Sequence, residues 1–399
     1  MTPLRVLRQP VLRRILPAML VSALGDGMSF VAVAWLALRI APPGQAGVWT
    51  GLAVAAFTLP ASIGAAVLAR PVRRLPAARL VAADASTRAV ALGAVALLAV
   101  SGVLSPAVYV ALLAASSLLH AWGVAGAYTM VSELLPDEDR VAGNALLSTF
   151  TQAAFVVGPA LAGGLTALAG PGWVIGVDAA SWAVLAVAGW TIPAGVVPPV
   201  DDGQAGGWRV ILDRPRLLGL IVVTAVFFFL YGPVEVALPV HVADDLHGSA
   251  GLLGLFWTVF GLGATIGALG AGLVRTWPPG LVVAGIIVGW GVALLPLGLT
   301  DAVVPGMIGL AVGGLIWGPY IAISTSLFQQ ATPPAALSRV LAARTALTGP
   351  ATALGTLAGG PLVTAIGARP TILWSGVLTI ALGIAVAGGR QWGGSIARL

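Results

Sequence analysis

The sequence predicts an all-α polytopic membrane protein, with twelve transmembrane helices in two six-helix, pseudo-symmetric halves. Three observations carry this prediction. The 399 residues are 58% hydrophobic and only 9% charged, with a mean hydropathy of +1.00. Soluble domains carry about 25% charge, and so few charges cannot cover a water-exposed surface. Twelve long apolar runs are separated by turn residues or charge clusters. Arginine is strongly biased to one side of those runs. The runs are continuous rather than alternating ten-residue stretches, which excludes a membrane β-barrel.

Taken in order, span one (15–40) follows the basic stretch Met1 to Arg14. It is too long for a signal-peptide core and is expected to be an uncleaved span with its N-terminus inside. The breaker Ala41-Pro42-Pro43-Gly44 leads into span two (47–69), which runs onto Arg70, Arg73 and Arg74. Span three (80–101) starts after Arg79, and span four (106–131) is closed by Leu134-Leu135-Pro136. Span five (141–168) ends at Gly170-Pro171-Gly172, where span six (172–193) begins. Spans seven (217–240) and eight (251–274) come next, then Pro278-Pro279-Gly280 and span nine (281–299). Span ten (304–328) stops before Pro333-Pro334, and spans eleven (340–366) and twelve (370–389) complete the set. Each run meets the roughly 20 apolar residues that a bilayer crossing needs, and the longer ones are expected to tilt or bend.

The polar stretch from Ala194 to Arg216 divides the chain almost at its midpoint and contains Asp201-Asp202-Gly203 and an amphipathic segment, Trp208 to Leu212. The expected organisation is an N-terminal six-helix half (1–193), a cytoplasmic central loop (194–216) and a C-terminal half (217–399). The halves echo each other. Arg140-Val141 matches Arg339-Val340, Pro171 matches Pro370, and Ser62-Ile63-Gly64-Ala65 resembles Thr265-Ile266-Gly267-Ala268. A tandem repeat is the simplest explanation.

Composition also excludes chemistries. Every basic residue is arginine, so there is neither a phosphate-binding loop lysine nor a Schiff-base lysine. No cysteine is present, and only His120, His241 and His247 offer imidazole. No second ligand sits one turn from His120, which therefore reads as a packing or helix–helix bonding residue rather than a metal ligand. Neither a Ser/His pair nor a metal-ligand set suggests an enzyme, and no cofactor or metal is expected. The high pI of 10.9 reflects loop arginines of a membrane protein rather than nucleic-acid binding.

The motifs then resemble a known family. Ala65 to Arg74 is similar to the G-x-x-x-D-R-x-G-R-R loop of the major facilitator superfamily, with Ala65, Ala69 and Val72 departing from it. Gly158-Pro159-Ala-Leu-Ala162-Gly163-Gly164 resembles the G-P-x-x-G-G element of drug/proton antiporters. Leu24-Gly25-Asp26, Asp84 with Arg88, Leu134-Leu135-Pro136 before Asn144-Ala145-Leu146, Val177 to Ser181, and Arg339-Val340 after Pro333 resemble the bacterial efflux branch that holds the enterobactin exporter and macrolide-efflux permeases. The resemblance implies alternating access and proton-driven export of a small molecule. It also implies gating by Arg70, Arg73 and Arg74, though Ala69 stands where the loop's acid belongs. The alternatives are an importer or uniporter, or a non-transporting membrane scaffold. The expected partners are a small apolar or amphipathic substrate, protons and the bilayer, for a monomer in a bacterial inner membrane.

Ionisable groups inside the spans are costly and therefore candidates for function. Asp26 lies near the middle of span one on a face shared with Ser22 and Ser29, and is the expected proton-coupling acid. Asp84 and Arg88, four residues apart, are expected to pair with each other at an inner gate. Asn144, Ser148 and Gln152 form a second polar stripe that either lines a cavity or joins helices. Asp178 has the same two readings, and Glu235 is expected near the outer mouth, where water makes an acid cheap. Phe227-Phe228-Phe229, Tyr231, Trp257, Trp317 and Tyr320 are candidates for an aromatic cavity wall, against the commoner fate of packing. Gly158-Pro159 with Gly163 and Gly164 suits both tight packing and a hinge.

With the N-terminus inside, every loop arginine except Arg39 and Arg369 lies on the inner side, and Arg88 alone stays in the membrane. Reporter fusions at Asp202 and Leu399 should therefore both give cytoplasmic signals. A periplasmic signal at either position removes the twelve-span topology.

Overall fold

The computed structural model describes Val6 and residues 9–72, 75–193, 207–274, 276–333 and 336–388, and no strand occurs among them. The N-terminal spans are α1 (Pro10–Ile40), α2 (Ala46–Val67), α3 (Ala77–Val100), α4 (Pro106–Ser117 and His120–Leu134), α5 (Asp137–Ala169) and α6 (Pro171–Thr191). The C-terminal spans are α7 (Pro215–Val240), α8 (Ala250–Leu269), α9 (Pro279–Leu299), α10 (Val303–Trp317 and Tyr320–Ala331), α11 (Leu337–Ile366) and α12 (Ala368–Gly388). Eleven of these elements are long and apolar enough to cross a membrane. The other is α11, where Arg344 and a series of threonines lower the hydropathy. Its 30 residues extend about 45 Å at 1.5 Å per residue, more than a bilayer's hydrocarbon core of about 30 Å. Its threonines donate back to their own helix, Thr345 to the Leu341 carbonyl (3.1 Å) and Thr352 to that of Thr348 (3.2 Å), so their hydroxyls are satisfied without water.

Spans four and ten are each one apolar run in the sequence, and the structure interrupts both. The first interruption is at Leu118-Leu119 and the second at Gly318-Pro319, the same place in each half. Pro319 has no N–H to continue the helical ladder. At the α4 break Ser117 donates to the Ala56 carbonyl of α2 (3.0 Å), and Trp122 donates to that of Gly64 (3.0 Å). Neighbouring α2 thus takes hydrogen bonds on both sides of the interruption.

The described residues form two compact units. One takes the chain up to Pro42, from Leu52 into the central connection, and Ser249–Thr258; the other takes Pro43–Gly51 and the remainder. Two short segments are therefore exchanged relative to a plain cut at the central loop. Inside the first unit α3 packs along α6, and α1 packs on α5 and α6; inside the second α9 packs along α12, and α7 packs on α11 and α12. The junctions repeat too. Gly170, between α5 and α6, has φ +88° and ψ 163°, and Gly367, between α11 and α12, has φ +89° and ψ 167°. That backbone conformation is essentially restricted to glycine.

Helix crossings rest on small residues, as expected where lipid supplies no hydrophobic drive for association. A Cβ on Gly27 of α1 would meet the Ala154 carbonyl of α5, and one on Gly158 would meet Gly27. Gly163 meets Gly251 at the start of α8, whereas Gly164 faces open space and takes no part in a crossing. Gly158→Leu should lower the melting midpoint of the purified protein markedly, since overpacking typically costs about 1–3 kcal/mol and here the obstruction is backbone. Gly164→Leu should leave the midpoint near that of the parent protein.

Candidate functional site

A cavity of about 490 Å3 lies within the first unit among α1, α3, α4, α5 and α6. Its wall is mainly apolar and aromatic, with Phe30, Tyr128, Phe150, Phe155 and Trp182, and its polar groups include Ser22, Asp26, Asp84 and His120. A wall of this kind suits a small apolar body that a few polar groups orient.

The polar groups belong to one network. Arg88, on α3, is buried and forms an ion pair with Asp26, midway along α1. Its guanidinium lies over the Trp182 ring at 4.5 Å and the Phe57 ring at 5.1 Å, a stacked arrangement that suits its weakly hydrated plane. Asp26 is 28% exposed and lines the cavity. Behind it Asp178, fully buried on α6, accepts from Ser29 of α1. Ser181 donates to the Asp178 backbone carbonyl (2.7 Å). Asp84 is buried at the cavity wall with His120 Nδ1 3.3 Å from its Oδ2. A Cβ at Gly123, one turn beyond His120, would overlap the Asp84 carboxylate, so this glycine makes the room that the acid occupies.

This corrects the expected Asp84–Arg88 pair. Four-residue spacing puts both on one face of α3, but the longer side chain reaches across to α1, and the shorter one turns to the notch and imidazole on α4. His120 is the helix–helix bonding residue that one of its two readings allowed. Of the polar face on α1, Ser22 and Asp26 reach the cavity while Ser29 is turned to Asp178. The stripe Asn144, Ser148 and Gln152 does not line the cavity. The face next to it does, through Leu147, Phe150, Thr151 and Ala154. Ser148 and Gln152 are exposed, and Asn144 Oδ1 is buried without a hydrogen-bond partner.

The aromatic candidates separate. Trp257 is buried against Phe30, whose ring centroid is 4.9 Å away, and so backs the cavity wall. Trp317 and Tyr320 pack with Phe227, Phe228 and Tyr231 in the second unit, and the Tyr320 hydroxyl donates to Thr224 (3.2 Å). Phe229 is 39% exposed and stands outside that cluster. Glu235, expected at a wet mouth, instead accepts from Thr356 of α11 at 3.2 Å. Arg73 and Arg74 lie outside the described residues, as does the side chain of Arg70. Sequence reasoning missed Phe57, Trp182 and Gly123 as parts of the site, because nothing in spacing marks an aromatic or a glycine that serves a residue on another helix. No group of three or more metal-ligating side chains occurs among the described residues.

The Major Facilitator Superfamily model matches residues 15–356. The chain belongs to the major facilitator superfamily. That family is one of transporters, and its members are multi-pass membrane proteins. The multidrug efflux pump Tap of Mycobacterium tuberculosis is 30% identical over 389 residues, covering 90% of this chain and 88% of the pump. An uncharacterized transporter of the superfamily, y4rN of Sinorhizobium fredii, is 29% identical over 65% of this chain, which spans 66% of that protein's length. The enterobactin exporter EntS of Shigella flexneri is 26% identical over 55% of this chain and 53% of its own. Among solved structures, the nucleoside transporter NupG superposes with a TM-score of 0.77 over 95% of this chain and 98% of its own, at 11% identity, which is a likeness of fold.

Arg88→Gln strips Asp26 of its buried partner and should cost on the order of 3 kcal/mol. The double variant Asp26→Asn/Arg88→Gln should recover a large part of that loss in a thermal melt of the purified protein. Asp84→Asn/Arg88→Gln should recover little, and equal recovery by the two doubles would remove the Asp26–Arg88 assignment.

Proposed function

We propose that this transporter exports a small apolar or amphipathic molecule across the bacterial inner membrane by alternating access in exchange for protons, with Asp26 as the coupling acid. The observation that carries this reading is the pairing of a partly exposed carboxylate on the cavity wall with a buried arginine behind it. Export is supported by likeness to an efflux pump along nine-tenths of the chain and to a siderophore exporter along half of it.

The pairing suggests how a proton acts. With Asp26 ionised, Arg88 binds α3 to α1. A proton arriving from the cavity neutralises the acid and leaves the guanidinium in low dielectric, where an uncompensated charge is costly. Asp84 and Asp178 are the other carboxylates whose charge Arg88 feels, so the arginine shifts its allegiance toward them and the α1–α3 link loosens. Release of the proton restores the link. In this reading Gly158, Pro159 and Gly163 act as the compliant crossing on α5, and Arg70, Arg73 and Arg74 belong to an inner gate. The protein works as a monomer with both termini in the cytoplasm.

Asp26→Asn in proteoliposomes tests the assignment. Gradient-driven movement of fluorescent amphiphiles should fall at least about ten-fold, the loss of roughly 1.4 kcal/mol of coupling. Exchange of substrate down its own gradient should persist, since that cycle moves no proton. Asparagine also leaves Arg88 without its partner, so a lower melting midpoint is expected. Asp26→Glu, which keeps the acid, should retain part of the coupled transport. Full pH-driven transport by Asp26→Asn would remove Asp26 from the coupling role.

A further inference from the structure

We propose that Asp84, seated between Gly123 and His120, is the anchoring acid for a protonated amine on the transported molecule, so that the substrate class is a compact aromatic or apolar body bearing an N–H cation. The inference rests on the reading that the first-unit cavity receives substrate, and it concerns recognition rather than coupling.

Asp84 is 3% exposed, yet it lines the cavity. Its Oδ2 faces His120 Nδ1, and its Oδ1 is buried with no hydrogen-bond partner. A buried carboxylate oxygen without a donor is costly, and this one, closed to water, belongs to a side chain that lines the cavity, so a cation entering there completes it once the side chain turns toward it. The other carboxylates are engaged. Asp26 is held by Arg88, and Asp178, wholly buried, by Ser29. The charge around the cavity also favours a cation. Asp26, Asp84 and Asp178 face one arginine, Arg88, and one imidazole, His120, while α5 contributes no ionisable side chain to the wall. The remaining wall selects the body of the ligand. Phe30, Phe150, Phe155 and Tyr128 line it with aromatic rings, which suit a flat apolar group, and rings attract cations as well. A volume of about 490 Å3 holds one small molecule rather than a peptide. The notch at Gly123 shows that the position is built, because any side chain there would displace the acid.

The test is equilibrium binding to the purified full chain in detergent, with two fluorescent probes of one body. Dansylcadaverine carries a primary ammonium, and its N-acetyl derivative is neutral. The parent protein should bind the amine at least about ten-fold more tightly, the scale of one charge-assisted hydrogen bond. Asp84→Asn should bind both probes equally, through loss of the amine's affinity alone. His120→Arg, which sets a fixed guanidinium against the Asp84 carboxylate, should abolish the preference in the same way, and it decides the matter if Asp84→Asn does not fold. Equal binding of the two probes by the parent protein, or no binding of the amine, overturns the proposal. So does an undiminished preference in either folded variant, which would mean that the amine is held elsewhere. These readouts need no proton gradient, so failure of Asp26 as the coupling acid would leave them unchanged.

Discussion

A guanidinium that cannot reach water organises the first unit. Arg88 is buried in the middle of a membrane-spanning helix, and leaving a buried charge there unpaired costs about 3–5 kcal/mol. Its surroundings follow from that cost. Asp26 is brought to it from α1, Trp182 of α6 and Phe57 of α2 close over its faces, and Asp178 is tied to α1 through Ser29. Four helices thus meet around one cation. On its other sides α1 packs on both α5 and α6 and presents glycine at the crossings. Gly27 lets α1 close on α5, and Gly25 lets it close on the stretch of α6 that carries Asp178.

The two units share a plan and differ in what fills it. Corresponding helix pairs, corresponding breaks in α4 and α10, and glycines of matching backbone geometry at 170 and 367 mark a repeated architecture. Yet α3 carries Asp84 and Arg88, while α9 contains no ionisable side chain and contributes the buried Trp290. Trp290 joins Tyr231, Phe260 and Trp317 in an aromatic cluster. At this position the first unit sets charge against charge and the second sets ring against ring, which needs no proton to remain satisfied. Glu235, the acid within α7, is met by a hydroxyl rather than a cation.

The fold was legible because membrane insertion imposes a long, continuous apolar signal on each span, and because breakers such as Gly170-Pro171 fall where the chain must turn. The least apolar span, α11, remained legible by its length and by its place before Gly367. The break in α4 was not, since a Leu-Leu pair interrupts no hydropathy pattern, and Gly318-Pro319 in α10 is a breaker pair that lies inside one long apolar run. In the site, the intramembrane acids and Arg88 announced themselves by their cost. Their partners did not. Helical spacing describes neighbours on one helix, and the contacts that matter join α1 to α3 and α3 to α4, so an i,i+4 argument gave Arg88 the wrong aspartate. Likewise the polar stripe on α5 pointed to one face of that helix, and the cavity uses the next one, through Leu147 and Phe150. In a wall meant for an apolar body, polarity is a poor guide to which face is used.

The interruption of α4 has a mechanical consequence. A continuous helix resists bending because bending stretches its hydrogen bonds, and the ladder of α4 is already weakened at Leu118-Leu119, where the Leu118 N–H reaches the Ala115 carbonyl at 3.4 Å. The segment beyond the break begins at His120 and reaches Gly123 within one turn. Because His120 and Gly123 lie next to the pivot, a change in the angle of this segment displaces them far less than Leu134 at its other end. The segment can therefore tilt while the imidazole and the notch keep their places beside Asp84, which stays with the α3–α6 pair.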